Sequence, residues 1–551
     1  MAGQPVDDTS AYVSGWKLFV VIACLFFGAL LIALDANIIN IAIPQIASDF
    51  KALDNIAWYG TAYLVLITAL QPIYGSLYKH FRNDIVYTVS ILTFEVGSIL
   101  CAAAPSSPIF ILGRAIAGLG GAGILQGGLS IISQVVPLEK RPLFMGIVVS
   151  VFALTSTVGP ILGGVFTEKA SWRWCFWMQV FTPIVSTGNV PVGVLVVVGL
   201  TFFLRVGSIS TAARRLPLKD KIRNMDPLGC IVFLGAVCCL LLSLQWGGQT
   251  KPWDSPAVVG CLVGGFVIGF LFFYLQWRRK DRALIPLRIL GKRSIWTGVL
   301  VLFFFGAQTY LNVFFLPFWF QAVRGTTPVQ TGLHFIALLV PQILALVIMG
   351  GVVKHYGHYV PYMLVGQVIA IGGQAMLTQL QPDTSTIFWA VSFVMTGLGT
   401  GMAQQLPYTA VAVVLPDEDI PVGNALAVLF YQLGGAVAIS LGQTVAISTL
   451  VHLVPRRLPG LPVDRVLAAG ATNLRSLAPS ASILVILQDI WNTAIARTMI
   501  LSAVMLAMCV PFTMGMEWLN AVNVAKQRRQ DGNNRSLGAM DKEVSVSDRS
   551  A

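Results

Sequence analysis

The sequence predicts an all-α polytopic membrane protein, built as two six-helix bundles with two further helices between them. Composition, recurring apolar stretches and an internal repeat support this fold class. Of the 551 residues, 56% are hydrophobic and only 11% are charged, whereas a soluble domain carries about 25% charged residues. A helix needs about 20 apolar residues to cross the hydrocarbon, and the chain supplies fourteen such stretches. A water-soluble globule is therefore excluded.

The apolar stretches are expected to be helices, because backbone in lipid must satisfy its own hydrogen bonds and no strand-length alternation appears. The fourteen predicted spans are 18–44, 56–78, 85–104, 109–136, 143–166, 174–204, 227–247, 256–277, 296–323, 330–353, 360–380, 386–415, 424–451 and 494–518. They define a cytoplasmic N-terminus (1–17), a first bundle (18–204), a linker with the two extra helices (205–294), a second bundle (295–518) and a cytoplasmic tail (519–551).

Loop charge predicts the orientation. Lysine and arginine concentrate in the loops after spans 2, 4, 6, 8 and 10, whereas the opposite short loops hold only Lys51, Lys169, Arg173, Lys251 and Arg324. Positively charged loops stay in the cytoplasm, so both termini are predicted there. The net charge of +12 therefore reflects topology, and no nucleic-acid partner is expected. The cell membrane is the predicted location, with the vacuolar membrane less favoured.

Segments outside the spans are predicted to be exposed. The N-terminus lacks a basic region and a cleavage site, so no removable signal peptide is expected. The loop 452–493 is predicted to be external, with its apolar run 483–487 on the membrane surface. The chain from Lys526 onward is polar and is predicted to be a disordered tail.

Several kinds of chemistry are not indicated. The eight cysteines lie in or beside apolar segments without metal-ligand spacing, so free buried thiols and no metal site are predicted. Neither a zinc-protease motif, a serine-hydrolase elbow with plausible partners nor a nucleotide-binding Gly-Lys-Ser/Thr loop is found. These observations argue against a membrane enzyme and against an ATP-driven pump.

A repeat divides the chain into related halves. The loop beginning at Gly75 carries a Lys-His pair at Lys79, and the loop beginning at Gly350 carries the same pair at Lys354. The glycine-rich segment from Gly118 similarly recurs from Gly397. Offsets of 275 (Gly350 against Gly75) and 279 (Gly397 against Gly118) indicate a parallel duplication that leaves out spans 7 and 8. Duplicated bundles typically form a substrate site at their interface.

Three ionisable residues inside the spans stand out: Asp35, Glu95 and Arg114. A charge at the bilayer centre costs about 2.5–3.5 kcal/mol on insertion scales, so such a group faces a cavity or a partner. Asp35 lies past the middle of the first span and Arg114 near the outer part of the fourth, which predicts similar depths. Asp35 is interpreted as a proton-binding carboxylate or as part of a fixed structural ion pair, and the same two interpretations stay open for Glu95.

The fifth span contains a compact motif of Gly159, Pro160, Gly163 and Gly164. Proline removes a helical hydrogen bond, and glycines permit close contact between helices. A bent, tightly packed helix is therefore predicted.

Four blocks together resemble the major facilitator superfamily, and within it the fourteen-span drug:proton antiporter family, with the character of fungal toxin and multidrug efflux carriers. These blocks are Leu34-Asp35-Ala-Asn37-Ile-Ile-Asn40-Ile-Ala-Ile-Pro44, the loop at Gly75, Gly113-Arg114 followed by Gly118, and the Gly159-Pro160-x-x-Gly163-Gly164 motif.

The resemblance implies the major facilitator fold, fourteen transmembrane helices and energy from a proton gradient without a bound cofactor. It implies proton coupling by Asp35, Glu95 and Arg114. It also implies a conformational role for the motif residues Gly75, Lys79, Gly118, Gly159, Pro160, Gly163 and Gly164.

Two departures from the family pattern affect these expectations. The family often has Asp where this chain has Lys79, and Gly where it has Arg82, so a gating ion pair based on that Asp is not expected. Residues 179–188 separate the Trp-Arg-Trp block from the turn at Asn189, and they are interpreted as an insertion or a gene-model artefact. Sequencing the transcript decides between these two.

Polar and amphipathic residues within apolar spans are candidates to bind substrate. They are Gln126 in span 4, Gln308, Tyr310 and Asn312 in span 9, Gln404 and Gln405 in span 12, and Tyr431 and Gln432 in span 13. Such groups in a central cavity can bind an amphipathic molecule. They can equally hydrogen-bond neighbouring helices, and the sequence leaves both interpretations open.

The predicted function is proton-coupled export of amphipathic small organic molecules, such as a toxic secondary metabolite or a drug, by alternating access. Its predicted partners are the substrate, protons and the lipid bilayer, with the chain acting as a monomer. One alternative is uptake of siderophores or basic amino acids, although the resemblance of the fifth-span motif favours export. A non-transporting membrane receptor is the other alternative, disfavoured because only a short soluble tail is present.

Overall fold

The computed structural model describes residues 15–51, 56–181, 217–247, 251–280, 283–463, 465–466, 478, 480–528 and 530. Within these residues the structure is almost entirely helical. Most of the sixth predicted span (174–204) lies outside the described residues, as does most of the suspected insertion 179–188 and the tail beyond residue 530. The eight cysteines are free thiols, as predicted, but only Cys24, Cys101, Cys175 and Cys509 are buried, and the other four are partly buried.

The first half consists of long helices that pack side by side. They are α1 (Trp16–Asp49), α2 (Ile56–Ala69), α3 (Gln71–His80), α4 (Asn83–Ala102), α5 (Ser107–Val135), α6 (Arg141–Lys169) and α7 (Trp174–Phe181). The second predicted span is thus divided at Leu70 into α2 and α3. Pro72, in the first turn of α3, accounts for this break because proline has no N–H to continue the preceding helix.

The linker contains two spanning helices and two short ones: α8 (Leu218–Asn224), α9 (Pro227–Trp246), α10 (Pro256–Arg279) and α11 (Leu287–Leu290). The buried carboxylate of Asp226 joins them. It accepts hydrogen bonds from the Gly229 N–H (2.8 Å), the Gln276 amide (3.1 Å) and the Leu284 N–H (3.3 Å), and it pairs with Arg279. Asp226 therefore anchors the start of α9 to the end of α10.

The second half repeats the long-helix pattern. Its helices are α12 (Arg293–Phe318), continued by a π-helical turn (Trp319–Val323), α13 (Pro328–Tyr356), α14 (Val360–Leu377), α15 (Thr386–Ala403), α16 (Leu406–Val414), α17 (Ile420–Arg457) and α18 (Ala481–Met514). Thr327, Ser385 and Ser480 begin three of these helices, and each hydroxyl accepts the N–H three residues later. Such capping satisfies donors that the first helical turn leaves free.

Eleven helices in the described part of the chain are long and apolar enough to cross a membrane. Of the other three predicted spans, 56–78 corresponds to α2 and α3, 143–166 to α6, and 174–204 begins as α7. The all-helical membrane fold is confirmed, whereas the count of fourteen stays a prediction.

Several predicted ends are wrong, most clearly those of the last two spans. α17 continues to Arg457, and α18 begins at Ala481 rather than 494. The run 483–487, predicted to lie on the membrane surface, instead forms the first turns of α18. The helices extend because the polar residues that suggested an end have partners, since Asp489 pairs with Arg457 and Asn492 accepts the Trp319 indole N–H at 2.8 Å.

Two other ends also differ. The first span does not end at Pro44, because α1 runs to Asp49. The C-terminal chain is helical from Ala521 to Arg528, so the predicted disorder is wrong for residues 526–528. Buried Ala521 and Ala525 explain this order.

The duplication is visible as matching contacts. A Cβ added at Gly75 would lie 3.0 Å from the Pro421 carbonyl oxygen, and one added at Gly350 would lie 3.1 Å from the Pro142 carbonyl oxygen. These pairs follow the repeat, with offsets of 275 for the glycines and 279 for the prolines. Each half therefore packs its loop glycine against the equivalent helix of the other half, α17 or α6.

Candidate functional site

Asp35 and Arg114 form a buried ion pair inside the first half. Arg114 Nη1 lies 2.9 Å from Asp35 Oδ1 and 2.7 Å from Oδ2, and each side chain is 1% exposed. Arg114 Nε also donates to the Tyr59 carbonyl (3.0 Å), and the guanidinium lies 4.4 Å from the centre of the Tyr63 ring. The pair links α1, α2 and α5 at one depth, which confirms that part of the prediction. Its part in proton coupling stays a prediction.

Glu95 has a different environment. It is partly buried on α4, and neither carboxylate oxygen has a hydrogen-bond partner among the described residues. Its neighbours Leu92, Val96 and Ile99 are exposed on the outer surface of the helix. The structure therefore places Glu95 at the border of the lipid-facing side of α4, and its predicted proton-coupling role stays a prediction.

The motif glycines allow helices to touch. A Cβ at Gly118 would lie 2.6 Å from the Tyr63 carbonyl oxygen, and one at Gly163 would lie 2.8 Å from the Ile38 carbonyl oxygen. Gly159 similarly contacts Asn37, whereas a Cβ at Gly164 would meet nothing within 4 Å. Gly159 and Gly163 thus contact α1 at Asn37 and Ile38, within three residues of Asp35. Pro160 lies between the two glycines in the sequence of α6.

A charge cluster joins the two halves at one end of the molecule, here called the Lys79 end. Lys79 Nζ lies 2.6 Å from Asp419 Oδ1, and Arg288 from the linker lies 2.7 Å from Asp419 Oδ2. The neighbouring Asp417 pairs with Arg141 (3.3 Å) and with Arg528 (3.8 Å). The cluster, defined as Lys79, Arg141, Arg288, Asp417, Asp419 and Arg528, therefore connects both halves, the linker and the C-terminal segment.

Asp419 is ionised at neutral pH. Its side chain is fully shielded from solvent, and this burial alone would raise its pKa, but the hydrogen bonds and charges of Lys79 and Arg288 hold the pKa below its ordinary value. A negative charge at this position also suits the start of α17, where the helix dipole is positive. Where the family often has a negatively charged Asp, this chain therefore has the positively charged Lys79, which forms an ion pair with Asp419.

Four of the predicted substrate residues meet between the halves. Tyr310 and Tyr431 place their ring centres 6.0 Å apart, and the Gln404 amide donates to the Tyr431 hydroxyl at 3.0 Å. Gln432 accepts the Thr68 hydroxyl of the first half at 2.6 Å. Gln342 of α13 joins them by donating to Gln404 at 3.2 Å. The central polar cluster consists of Thr68, Tyr310, Gln342, Gln404, Tyr431 and Gln432.

The other four candidates lie elsewhere. Asn312 and Gln374 exchange two amide hydrogen bonds (2.8 and 3.2 Å), so the Asn312 side chain joins helices of the second half. Gln126 donates to the Pro421 carbonyl at 2.6 Å, near the Lys79 end.

Gln308 is buried and accepts a hydrogen bond from Thr309 at 3.3 Å. Gln405 is also buried, and neither of its amide atoms has a partner in the described structure. Substrate contact by the eight candidates stays a prediction.

Sequence reasoning missed Thr68, Gln342 and both aspartates of the charge cluster. Gln342 carries the same signal as the chosen glutamines, a polar group inside an apolar helix. Asp417 and Asp419 form an acidic run with Glu418, on the side that loop charge predicts to be basic. This acidic run among basic loops was the sequence feature that could have identified Asp417 and Asp419.

Residues 25–439 match the model of the Major Facilitator Superfamily, and the chain belongs to this family. It is therefore a multi-pass membrane transporter of small molecules rather than an enzyme. The chain is 37% identical over 511 residues to the MFS-type efflux pump MFS1 of Trichophyton rubrum, covering 93% of both chains. It is 35% identical over 512 residues to the efflux pump aflT of Aspergillus parasiticus, covering 93% of this chain and 97% of aflT.

Among solved structures, the MFS proton:xylose symporter XylE shows a similar fold. The TM-score is 0.55 at 12% sequence identity, over 92% of this chain and 99% of XylE. At this identity the similarity concerns the fold alone.

Proposed function

We propose that the chain exports amphipathic small organic molecules in exchange for protons, by alternating access between its halves. One observation carries the proposal: a polar and aromatic cluster of the second half reaches the first half through the Thr68–Gln432 hydrogen bond, while ion pairs connect the halves at one end. Relatives that share about a third of the sequence are named efflux pumps, which supports export over uptake.

The central polar cluster is suited to an amphipathic substrate. The rings of Tyr310 and Tyr431 offer apolar surface, while Gln404 and Gln432 offer donors and acceptors. Binding sites for small organic molecules typically combine a mostly apolar lining with a few placed polar groups. The Thr68–Gln432 hydrogen bond joins the halves at this cluster, so a substrate that competes for Gln432 would alter the contact between them.

The charge cluster supports the alternating-access part of the proposal. Lys79 and Arg141 belong to the first half, whereas Asp419 and Asp417 belong to the second. Closing this end brings the four charges together, and opening it requires both ion pairs to separate. Loop charge predicts that this end faces the cytoplasm, so substrate loading would follow its opening.

Proton coupling is assigned to the carboxylates within the first half. Protonation of Asp35 would weaken its attraction to Arg114, and Asn37, two residues later on α1, contacts the fifth-span motif at Gly159. A change at Asp35 therefore has a short packing route to α6. Glu95 is the second candidate. The proton gradient supplies the energy without a cofactor, and the chain is proposed to act as a monomer in the cell membrane, with both termini in the cytoplasm.

Transport by inside-out membrane vesicles tests the proposal. An acidic lumen should drive accumulation of an amphipathic test compound, and a protonophore should abolish it. Asp35→Asn should remove the gradient-driven accumulation when equal amounts of folded protein in the membrane are compared. Asp383→Asn, the same change at an exposed loop position, should leave it intact.

Two outcomes contradict the proposal. Intact gradient-driven accumulation in Asp35→Asn would reject the assignment of the proton site. Transport of siderophores or basic amino acids out of these vesicles, with no amphipathic compound accumulating, would establish uptake instead of export.

A further inference from the structure

A groove of about 690 Å³ lies between α3 and α4 at the Lys79 end. It is separate from the central polar cluster. Its lining residues are Tyr74, Leu77, Phe81, Arg82, Ile85, Val86, Val89, Ser90 and Lys221. A volume in the range of about 300–1,000 Å³ is typical of sites for small molecules, so the groove has the size of a binding site.

The groove has a basic end and an apolar end. Lys221 of α8 has no carboxylate within ion-pair distance in the described structure, and its amine lies 5.7 Å from the centre of the Phe81 ring. Arg82, which begins α4, is half-exposed and binds Asp84 through Nε and Nη2. Asp84 neutralises part of the positive charge at this end, and the Lys221 charge remains available to bind a further negative group.

The apolar end continues onto the lipid-facing surface. Ile85 and Val89 are more than half exposed, at 53% and 55%. Leu92 and Val96 extend the same exposed row along α4, each separated by one helical turn or nearly so. An occupant with an extended hydrocarbon chain can thus leave the groove along α4 and remain in the bilayer.

We infer that this groove binds an anionic membrane phospholipid, with its phosphate at Lys221 and Arg82 and one acyl chain along Ile85 and Val89. The charge pattern favours a lipid over a neutral apolar molecule, because the cations lie where the apolar surface ends. Loop charge predicts that this end faces the cytoplasm, whose membrane leaflet carries anionic lipids. Basic pockets between spanning helices on that side are suited to phospholipid head groups.

α3 lies between the proposed lipid site and the second half of the molecule. One side of α3 lines the groove through Tyr74 and Leu77, and Phe81 directly follows α3. The other side of α3 carries Gly75, which contacts α17, and Lys79, which pairs with Asp419 directly before α17. A lipid in the groove therefore packs against the helix that holds the halves together, and its binding should favour the closed Lys79 end.

Native mass spectrometry of the purified full chain tests the lipid site without a transport readout. The protein is titrated with phosphatidylserine or phosphatidylcholine, and the retained lipid is counted. Phosphatidylserine should bind in preference, and Lys221→Ala should weaken its binding by about fivefold, the effect of one basic residue near an anionic headgroup. Lys219→Ala removes the same charge from an exposed position on the same helix and should leave binding unchanged.

A second variant tests whether lipid binding needs the apolar end of the groove as well as its positive charges. Val89→Trp would fill the apolar end while retaining Lys221 and Arg82, and because Val89 faces lipid the change should preserve folding, checked by size-exclusion profile. It should also weaken lipid retention. Equal loss in Lys219→Ala and Lys221→Ala, equal binding of both lipids, or displacement of the lipid by inorganic phosphate would each overturn the inference.

Discussion

Two carboxylates in the spans of the first half differ in what surrounds them. Asp35 is matched by a guanidinium that also binds a backbone carbonyl and an aromatic ring, so removing either charge leaves the other buried alone. Glu95 has no partner atom in the described structure. Replacing the carboxylate by an amide is therefore expected to lower the stability of the folded protein at Asp35 and to keep or raise it at Glu95.

Thermal unfolding of the purified protein should separate these roles. Asp35→Asn should lower stability, because breaking a buried pair by removing one partner costs about 3–5 kcal/mol. Glu95→Gln should keep or raise the unfolding temperature, since it removes a carboxylate without a partner. If Glu95→Gln destabilises as much as Asp35→Asn, Glu95 has a partner that the described contacts do not include.

The sequence anticipated the Asp35–Arg114 contact because helix direction and position in the span set the depth of each residue. The sequence could not predict the ion pair between Lys79 and Asp419, because these residues lie 340 positions apart in the chain. No local pattern specifies which charged loop of one half meets which loop of the other. The contact depends on how the two bundles pack, which is decided by surfaces along their whole length.

At the scale of elements, adjacent glycines in α6 have unequal roles. Gly163 packs against the α1 backbone at Ile38, whereas Gly164 has open space around its Cα. The motif alone gives both residues the same importance. Only the helix–helix contact distinguishes them.

Alanine at these two positions gives a matched test. Gly163→Ala should lower transport and the unfolding temperature, because its methyl group would lie 2.8 Å from the Ile38 carbonyl oxygen. Gly164→Ala should be tolerated and should stabilise α6 by up to about 1 kcal/mol, the propensity difference between the residues. Transport and thermal unfolding measured side by side check both; equal effects would contradict this packing of α1 and α6.

Helix existence followed from hydropathy, whereas helix ends depended on partners. α4 begins within two residues of its prediction, since the charged loop before it marks the boundary. α18 begins thirteen residues earlier than predicted. Asp489 and Asn492 look like loop residues in sequence, but each is satisfied by another helix.

For the whole molecule, the two halves are related in packing but not in charge. Gly75 and Gly350 make equivalent contacts across the interface. Lys79 and Lys354 are also equivalent in the repeat, yet the counterpart of Asp419 is Lys140. The position equivalent to Asp419 therefore carries a positive charge, and the Lys79–Asp419 ion pair cannot be repeated by the same residue types in the second copy.

The ionisation of Asp419 predicts how this closed end responds to pH. Its pKa lies below the ordinary value of about 3.9, so the ion-pair contribution is present above that value and is lost only as the pH falls through the lower one. Between about pH 5 and pH 8 the Lys79–Asp419 contact should therefore remain. Any change of conformation in that range must come from other groups.

Spin labels at Lys140 and Glu418, on exposed loops of the two halves, measure this response. In a chain with Asp35→Asn and Glu95→Gln, the distance between the labels should not change between about pH 5 and pH 8. With both carboxylates restored, a pH-dependent distance is expected. A shift that persists in the double variant would mean that neither carboxylate is the pH sensor.

The residues after Met516 contribute to the closed end although they follow the last long helix. Arg528 donates to the carbonyl oxygens of Ala412, Val413 and Leu415, at the end of α16 and next to the aspartates of the charge cluster. A reporter protein fused beyond position 530 would leave these bonds in place. Trimming the polar C-terminus back to the last hydrophobic stretch, a common step in preparing membrane proteins, would remove them and expose three carbonyl groups where the halves meet.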